Sequence, residues 1–216
     1  MSEAFRPSTS VEDAAATQAA RLLYGPAFEA ISQYVDILSS RGVDWGLIGP
    51  RESGRLWQRH ILNSVAPVAL FPQRASVVDV GSGAGLPGIP LAVLRPDLRV
   101  TLLESLQRRV EFLNLAVAEL GLGDRVQVVR ERAEDHRERY GVVTSRAVAG
   151  LDRLAGWCAP LMERGGLMVA IKGERAEQEL VDSAHVLRRL HLRAEVVNCR
   201  ATPTADPTFV VRAQRA

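Results

Sequence analysis

The run Val77-Val78-Asp79-Val80-Gly81-Ser82-Gly83-Ala84-Gly85-Leu86-Pro87-Gly88 places a carboxylate and four glycines within twelve residues. Gly81 suits a sharp strand-to-helix turn. Gly83 and Gly85 let a ligand approach the backbone with no Cβ in the way, and Gly88 allows close packing of the helix that follows. Gly83 to Gly88 also satisfies the dinucleotide pattern G-x-G-x-x-G, so the loop alone leaves its ligand open. Two carboxylates narrow the choice. Asp79 stands two residues before Gly81, in a strand that a dinucleotide fold keeps apolar, and Glu104 ends the next strand 23 residues after Gly81, placed to accept both hydroxyls of a ribose. A pyrophosphate is repelled by such an acid, whereas S-adenosylmethionine brings a sulfonium and an ammonium that it attracts. The residues therefore favour S-adenosylmethionine as the cofactor. The plainer reading makes Asp79 a partner of loop amides and Glu104 a solvated strand end.

Later segments supply further walls. Arg132-Ala133-Glu134 follows a third strand, where a polar side chain and backbone groups meet an adenine in this architecture. Glu134 also lies in the charged run 130 to 139, which by itself reads as a solvated face. Ser145-Arg146-Ala147 ends a fourth strand, beside the switch point where open α/β sheets bind ligands, so Arg146 points toward the chemistry.

The elements that must position these residues are legible from Ser76 onward, where short Val- and Leu-rich runs alternate with helical segments in the manner of parallel βαβ units. Seven strands are expected, at 76 to 80, 99 to 104, 125 to 129, 141 to 145, 167 to 172, 192 to 199 and 207 to 213. No helix separates the last two, and Pro203, Asp206 and Pro207 mark a tight connection, so they form an antiparallel hairpin on an otherwise parallel sheet. The expected fold is α/β: a Rossmann-like seven-stranded methyltransferase sheet at 71–216, preceded by a helical N-terminal cap at 1–70. In the cap, an Ala-rich stretch covers 11 to 23. Phe28, Ile31, Val35 and Leu38 then recur at helical spacing up to Gly42, and Leu56, Ile61, Val65 and Val68 suggest a third helix.

Composition sets the outer limits. The chain has 216 residues, 47% hydrophobic and 24% charged, the profile of an ordinary globular protein. Its net charge of +2 is far below that of a dedicated nucleic-acid-binding domain. Lys172 is the sole lysine beside 26 arginines, a bias that codon usage explains. Cys158 and Cys199 have no metal-ligand or disulfide spacing, so no metal is expected. No apolar run reaches signal-peptide or membrane-span length, and a cytoplasmic protein without a membrane partner is expected.

The extended phrase from Asp79 through Ile89-Pro90, with Arg59-His60-Ile61-Leu62, Ser145-Arg146-Ala147 and Lys172-Gly173 in the same order, strongly resembles the bacterial glucose-inhibited division protein B family over most of the chain. These are small-subunit ribosomal RNA guanine-N7 methyltransferases. The resemblance implies that Gly81, Leu86, Ala133, Glu134 and Arg146 contact S-adenosylmethionine, and that the substrate is one guanine of 16S rRNA near the decoding site, in the small ribosomal subunit or its RNA. Two departures stand out. The family often writes Asn-Leu-Thr after a tryptophan, where this chain has Trp45-Gly46-Leu47-Ile48, and the family's Asp after His-x-x is here Asn63, which keeps hydrogen bonds but not charge.

For that substrate, Arg146 and His60 are the expected catalytic residues. Arg146 would hold either the cofactor carboxylate or the guanine O6, and His60 owes its place to the family motif. Guanine N7 has a free lone pair, so no general base is required. RNA would be held by Arg51, Arg55 and Arg59, four residues apart and so on one helical face, and by Lys172 after the fifth strand; a solvated helix face is the bland alternative. His136, His185 and His191 read as surface residues, and Trp157 as core rather than a base-stacking platform. The rival functions are a small-molecule methyltransferase sharing every cofactor residue, a nicotinamide-dependent oxidoreductase, and a non-catalytic ribosome-binding protein.

Overall fold

The computed structural model describes residues 11–215. Helices α1 (Val11–Tyr24) and α2 (Phe28–Ile37) open the chain. The stripe that α2 buries contains Ile31, Tyr34 and Val35 and continues to Leu38, after which a π-helical turn, Leu38–Gly42, ends the run. The next stretch is not the single regular helix that the apolar spacing suggests. It is a 3-10 helix (Pro50–Arg55), a π-helical segment (Trp57–Leu62), a short α3 (Asn63–Val65) and a 3-10 turn (Val68–Leu70). The cause lies in the spacing itself. Leu56 and Ile61 are five residues apart, out of step with an α-helical turn, and a segment wound i→i+5 brings both into the core, at 1% and 0% exposure.

Among the described residues, β1 (Ser76–Val80), β2 (Arg99–Glu104), β3 (Val126–Arg130), β4 (Tyr140–Arg146), β5 (Met162–Lys172), β6 (Leu192–Cys199) and β7 (Thr208–Arg215) form one sheet in the order β3-β2-β1-β4-β5-β7-β6. The first five are parallel, and β7 lies antiparallel between β5 and β6, as the hairpin signal predicts. β5 begins earlier than expected: Met162 pairs with Tyr140 before the register shifts to Val142 against Leu167. Pro207, with no N–H to give a ladder, stays just outside β7.

Helices α4 (Gly88–Leu94) and α5 (Gln107–Glu119) cover one face of the sheet together with the N-terminal helices, and α6 (Leu151–Leu161), α7 (Ala176–Asp182) and α8 (Ala184–Arg189) cover the other. β1 is therefore buried on both sides, which explains its unbroken apolar run around Asp79. Ile31, Tyr34 and Ile61 of the N-terminal part share one core cluster with Val77, Leu91, Leu102 and Phe112 of the sheet layer. The strand order reverses between β1 and β4, and a crevice opens there beyond the carboxyl ends of the strands. No described helix is long and apolar enough to cross a membrane.

Candidate active site

The glycine loop is held from below and from the side. Asp79 is fully buried, and its Oδ2 accepts the Gly88 N–H at 3.0 Å while the Ser82 hydroxyl donates to the Asp79 carbonyl at 2.8 Å. A Cβ at Gly88 would run into Leu102 and stand 2.9 Å from Asp79 Oδ2, so this glycine lets α4 sit close on the sheet. Burial lifts the Asp79 carboxyl to about 7, against the opposing pull of the Gly88 N–H, the Ser82 hydroxyl and the Arg146 charge. Its Oδ1 is buried with no hydrogen-bond partner among the described residues. From the side, Tyr34 of α2 donates its hydroxyl to the Ala84 carbonyl at 2.7 Å. A Cβ at Gly85 would overlap Ile89 and approach the Tyr34 oxygen, so that glycine yields space to the packing of the loop on the protein.

A cavity of about 320 Å³ opens beside the loop, lined by Gly81, Glu104, Ala133, Glu134, Val148 and Trp157. Glu104 is 4% exposed. Its Oε1 accepts the N–H groups of Ser105 at 2.8 Å and Leu106 at 3.0 Å, its Oε2 accepts Gly83 N–H at 3.0 Å, and Arg109 stands 3.5 Å from Oε2. A carboxylate offers about four acceptor positions and these contacts fill them, so displacing Arg109 opens one position, enough for one ribose hydroxyl rather than both. The Arg109 side chain is 44% exposed, at the solvent edge of this contact. Leu86 is buried in the core at 5% exposure, which gives it a supporting place under the loop. Trp157 is half-buried, packing on the second core while lining this cavity.

A second cavity of about 700 Å³ lies on the other side of Val148, with His60, Asn63, Arg146, Lys172 and Thr208 in its wall. Here the end of β4 meets the π-helical segment. Arg146 donates to the Arg59 carbonyl at 3.1 Å and Asn63 Oδ1 at 3.4 Å, and lies 2.9 Å from His60 Nδ1. A guanidinium has no acceptor, so His60 Nδ1 must accept, and the ring proton sits on Nε2, directed at Glu52 Oε2 at 3.2 Å. Burial first and the Arg146 charge second push His60 down to about 4, against Glu52. The ring is neutral with both nitrogens engaged. Asn63 gives its amide N–H to Thr208 Oγ1 at 2.9 Å, which orients its oxygen toward Arg146.

The sequence-predicted RNA residues fare differently from one another. Arg55 and Arg59 are exposed, Arg59 lying 3.6 Å from Glu52, but the backbone under them changes from 3-10 to π winding, so residues four apart do not form one straight face. The Arg51 side chain lies outside the described residues. Lys172 reaches the cavity wall with its ammonium already engaged, 2.6 Å from Glu179 and 2.8 Å from the Ala149 carbonyl, at 6% side-chain exposure. His136 is a correction: it is 5% exposed, because Glu131 at 2.6 Å and the Tyr140 hydroxyl at 2.8 Å satisfy both ring nitrogens inside the fold. His185 and His191 are exposed as expected. Tyr34, Glu52 and Glu179 were not singled out by sequence. Tyr34 does fall in the apolar stripe of α2, where a polar tip must find a partner.

The Glu104 carboxylate and the Gly81 turn in the wall of the smaller cavity, with the carboxyl of Asp79 buried beneath the loop and outside both cavities, suit a cationic nucleoside such as S-adenosylmethionine. Comparison with known proteins agrees. A family model described as "rRNA small subunit methyltransferase G" matches residues 27–206. The ribosomal RNA small subunit methyltransferase G of Mycolicibacterium smegmatis is 52% identical over 207 residues, 93% of this chain and 87% of that protein. Among solved structures, the pyocyanin biosynthetic protein PhzM superposes with a TM-score of 0.59 at 20% identity, over 93% of this chain and 73% of its own. The O-methyltransferase NcsB1 of neocarzinostatin biosynthesis, in complex with S-adenosylmethionine, gives 0.55 at 20% identity, over 68% and 51%. The two structures share the fold, and the family model with the close relative settles the kinship: this chain belongs to the rRNA small subunit methyltransferase G family.

Proposed function

We propose that the chain transfers a methyl group from S-adenosylmethionine to N7 of one guanine of 16S rRNA near the decoding region, acting in the cytoplasm on the small subunit or its RNA. The observation that carries this is Arg146. It stands at the end of β4, in the wall of the larger cavity and next to Val148-bearing chain shared with the smaller one, and its hydrogen bonds run to neutral acceptors rather than to a carboxylate. Its positive charge is thereby available to the cofactor carboxylate or the guanine O6.

When bound, S-adenosylmethionine supplies an electrophilic methyl group. Glu104 faces its ribose, Ala133 and Glu134 its adenine, and Asp79 acts on its cationic part from beneath the glycine loop through charge rather than contact. His60, held by Glu52, orients Arg146 and takes no proton, in keeping with a nucleophile that has none to lose. The base must be presented from a loop or flipped out, because the major groove of A-form RNA hides N7. The larger cavity has room for one base. On this reading the cap at 1–70 presents Arg51, Arg55 and Arg59 to RNA phosphate, and the 71–216 part holds the cofactor.

The test is to map methylated nucleotides in 16S rRNA from cells with and without the gene, beside transfer of labelled methyl by the purified protein. One N7-methylguanine that depends on the gene is expected. Label on another nucleotide, or transfer to a small molecule alone, would overturn the assignment.

A further inference from the structure

Between the two cavities lies one apolar side chain. Val148 lines both, is 37% exposed, and rests on the glycine turn so closely that a Cβ at Gly81 would come within 2.9 Å of its Cγ2. The chain reaches that position with Ala147 at φ +54, a left-handed conformation that a residue with a Cβ adopts only when its surroundings impose it.

Beneath the loop lies an ion pair whose ammonium is nearly buried. Lys172, the last residue of β5, donates to the Ala149 carbonyl at 2.8 Å and pairs with Glu179 of α7 at 2.6 Å. Glu179 Oε2 in turn accepts the N–H of Leu151, the first residue of α6, at 3.0 Å. One pair thus holds the backbone on either side of Gly150, and with it the segment that carries Val148. A phosphate-binding lysine has its ammonium in solvent; this one has 6% of its side chain exposed.

We propose that Lys172 and Glu179 are positioning residues that hold Val148 on the glycine turn as the partition between the cofactor cavity and the base cavity, and that Val148 sets the passage through which the amino-acid end of the cofactor reaches Arg146. This rests on the proposed reading that the cofactor runs from Glu104 past Gly81. It assigns Lys172 a role distinct from RNA contact, and it makes a residue of no polar chemistry a determinant of how methyl donor and base are aligned.

The experiment compares two thioether ligands that differ in the amino-acid end alone, S-adenosylhomocysteine and 5′-methylthioadenosine, by calorimetry on the full chain. Val148→Phe narrows the passage and is expected to weaken S-adenosylhomocysteine on the order of tenfold, leaving 5′-methylthioadenosine within about twofold. Val148→Ala widens it, and turnover should fall with the RNA KM unchanged. Lys172→Met and Glu179→Gln should each reproduce the Val148→Ala pattern, with an unaltered dependence of RNA binding on salt. Parallel loss of both ligands in Val148→Phe overturns the partition. A salt slope shallower by about one in Lys172→Met overturns the clamp in favour of a phosphate contact. If the ion-pair variants fail to fold, the half-exposed Val148 variants still decide. Failure of the unaltered protein to bind S-adenosylmethionine would instead sink the cofactor assignment itself.

Discussion

Asp79 is the residue with most at stake in its own ionisation. Its pKa in the fold, about 7, lies above the ordinary carboxylate value, so its contribution to stability is fully present below about 4 and is lost as pH rises through 7. Cofactor affinity should run the opposite way, because a sulfonium attracts the ionised form. Melting temperature is expected to fall, and S-adenosylmethionine binding to tighten, from about pH 6 to about pH 7.5, and Asp79→Asn should flatten both trends; a wild-type affinity independent of pH refutes the influence of the buried charge on the cofactor. Glu104→Ala should weaken the cofactor by roughly 1 to 3 kcal/mol. Since Glu104 also holds the N–H of Gly83, circular dichroism must first show that the variant is folded. His60 is neutral above about pH 5 and has no nitrogen to spare, so His60→Asn should lower single-turnover rate without changing the shape of its pH profile. A basic limb of slope one that disappears in the variant would make His60 a general base after all. These residues were legible because loop motifs fix chemistry locally: Asp79, Gly81, Glu104 and Arg146 all stand at strand ends. Glu52 and Glu179 were not, because their roles depend on partners 8 and 28 residues away in sequence.

At the scale of elements, strand positions were legible because a doubly covered parallel sheet demands unbroken apolar runs, and the C-terminal hairpin because two strands without an intervening helix must turn back. The stretch from Pro50 to Leu70 was not, because its apolar spacing of five, four and three residues fits no single winding. That irregularity changes what the arginines there can do. With Arg55 and Arg59 on differently wound backbone, their contributions to RNA binding should be unequal rather than those of a uniform stripe. The Arg51/Arg55/Arg59 triple alanine variant should retain cofactor affinity, lose RNA affinity and show a shallower salt slope, with the single variants dividing the loss unevenly. Filter binding across a salt series measures both quantities. An unchanged slope in the triple variant would reduce these arginines to a solvated face.

For the whole molecule, the decisive fact is that the N-terminal helices and the sheet have one core between them. Tyr34 ties α2 to the glycine loop, Tyr24 donates to the Pro90 carbonyl of α4 at 3.2 Å, and Arg41 forms a two-pronged pair with Glu119 at the end of α5. The part that faces RNA on the proposed reading is thus mechanically continuous with the part that grips the cofactor, a continuity that no linker or composition shift in the sequence announces. One detail of this packing gives the molecule a chemical property of its own. Its single lysine is the one sealed beneath the loop that carries Val148, so the chain has one side-chain amine, and that amine is hidden. Acylating reagents should leave Lys172 unmodified while the loop is seated and modify it when the loop lifts. Peptide mass spectrometry after brief acetic anhydride treatment then becomes a one-site clock for loop opening, expected to slow when S-adenosylhomocysteine is bound and to quicken in Glu179→Gln; rapid acetylation of the ligand-bound protein would mean the seat is never closed.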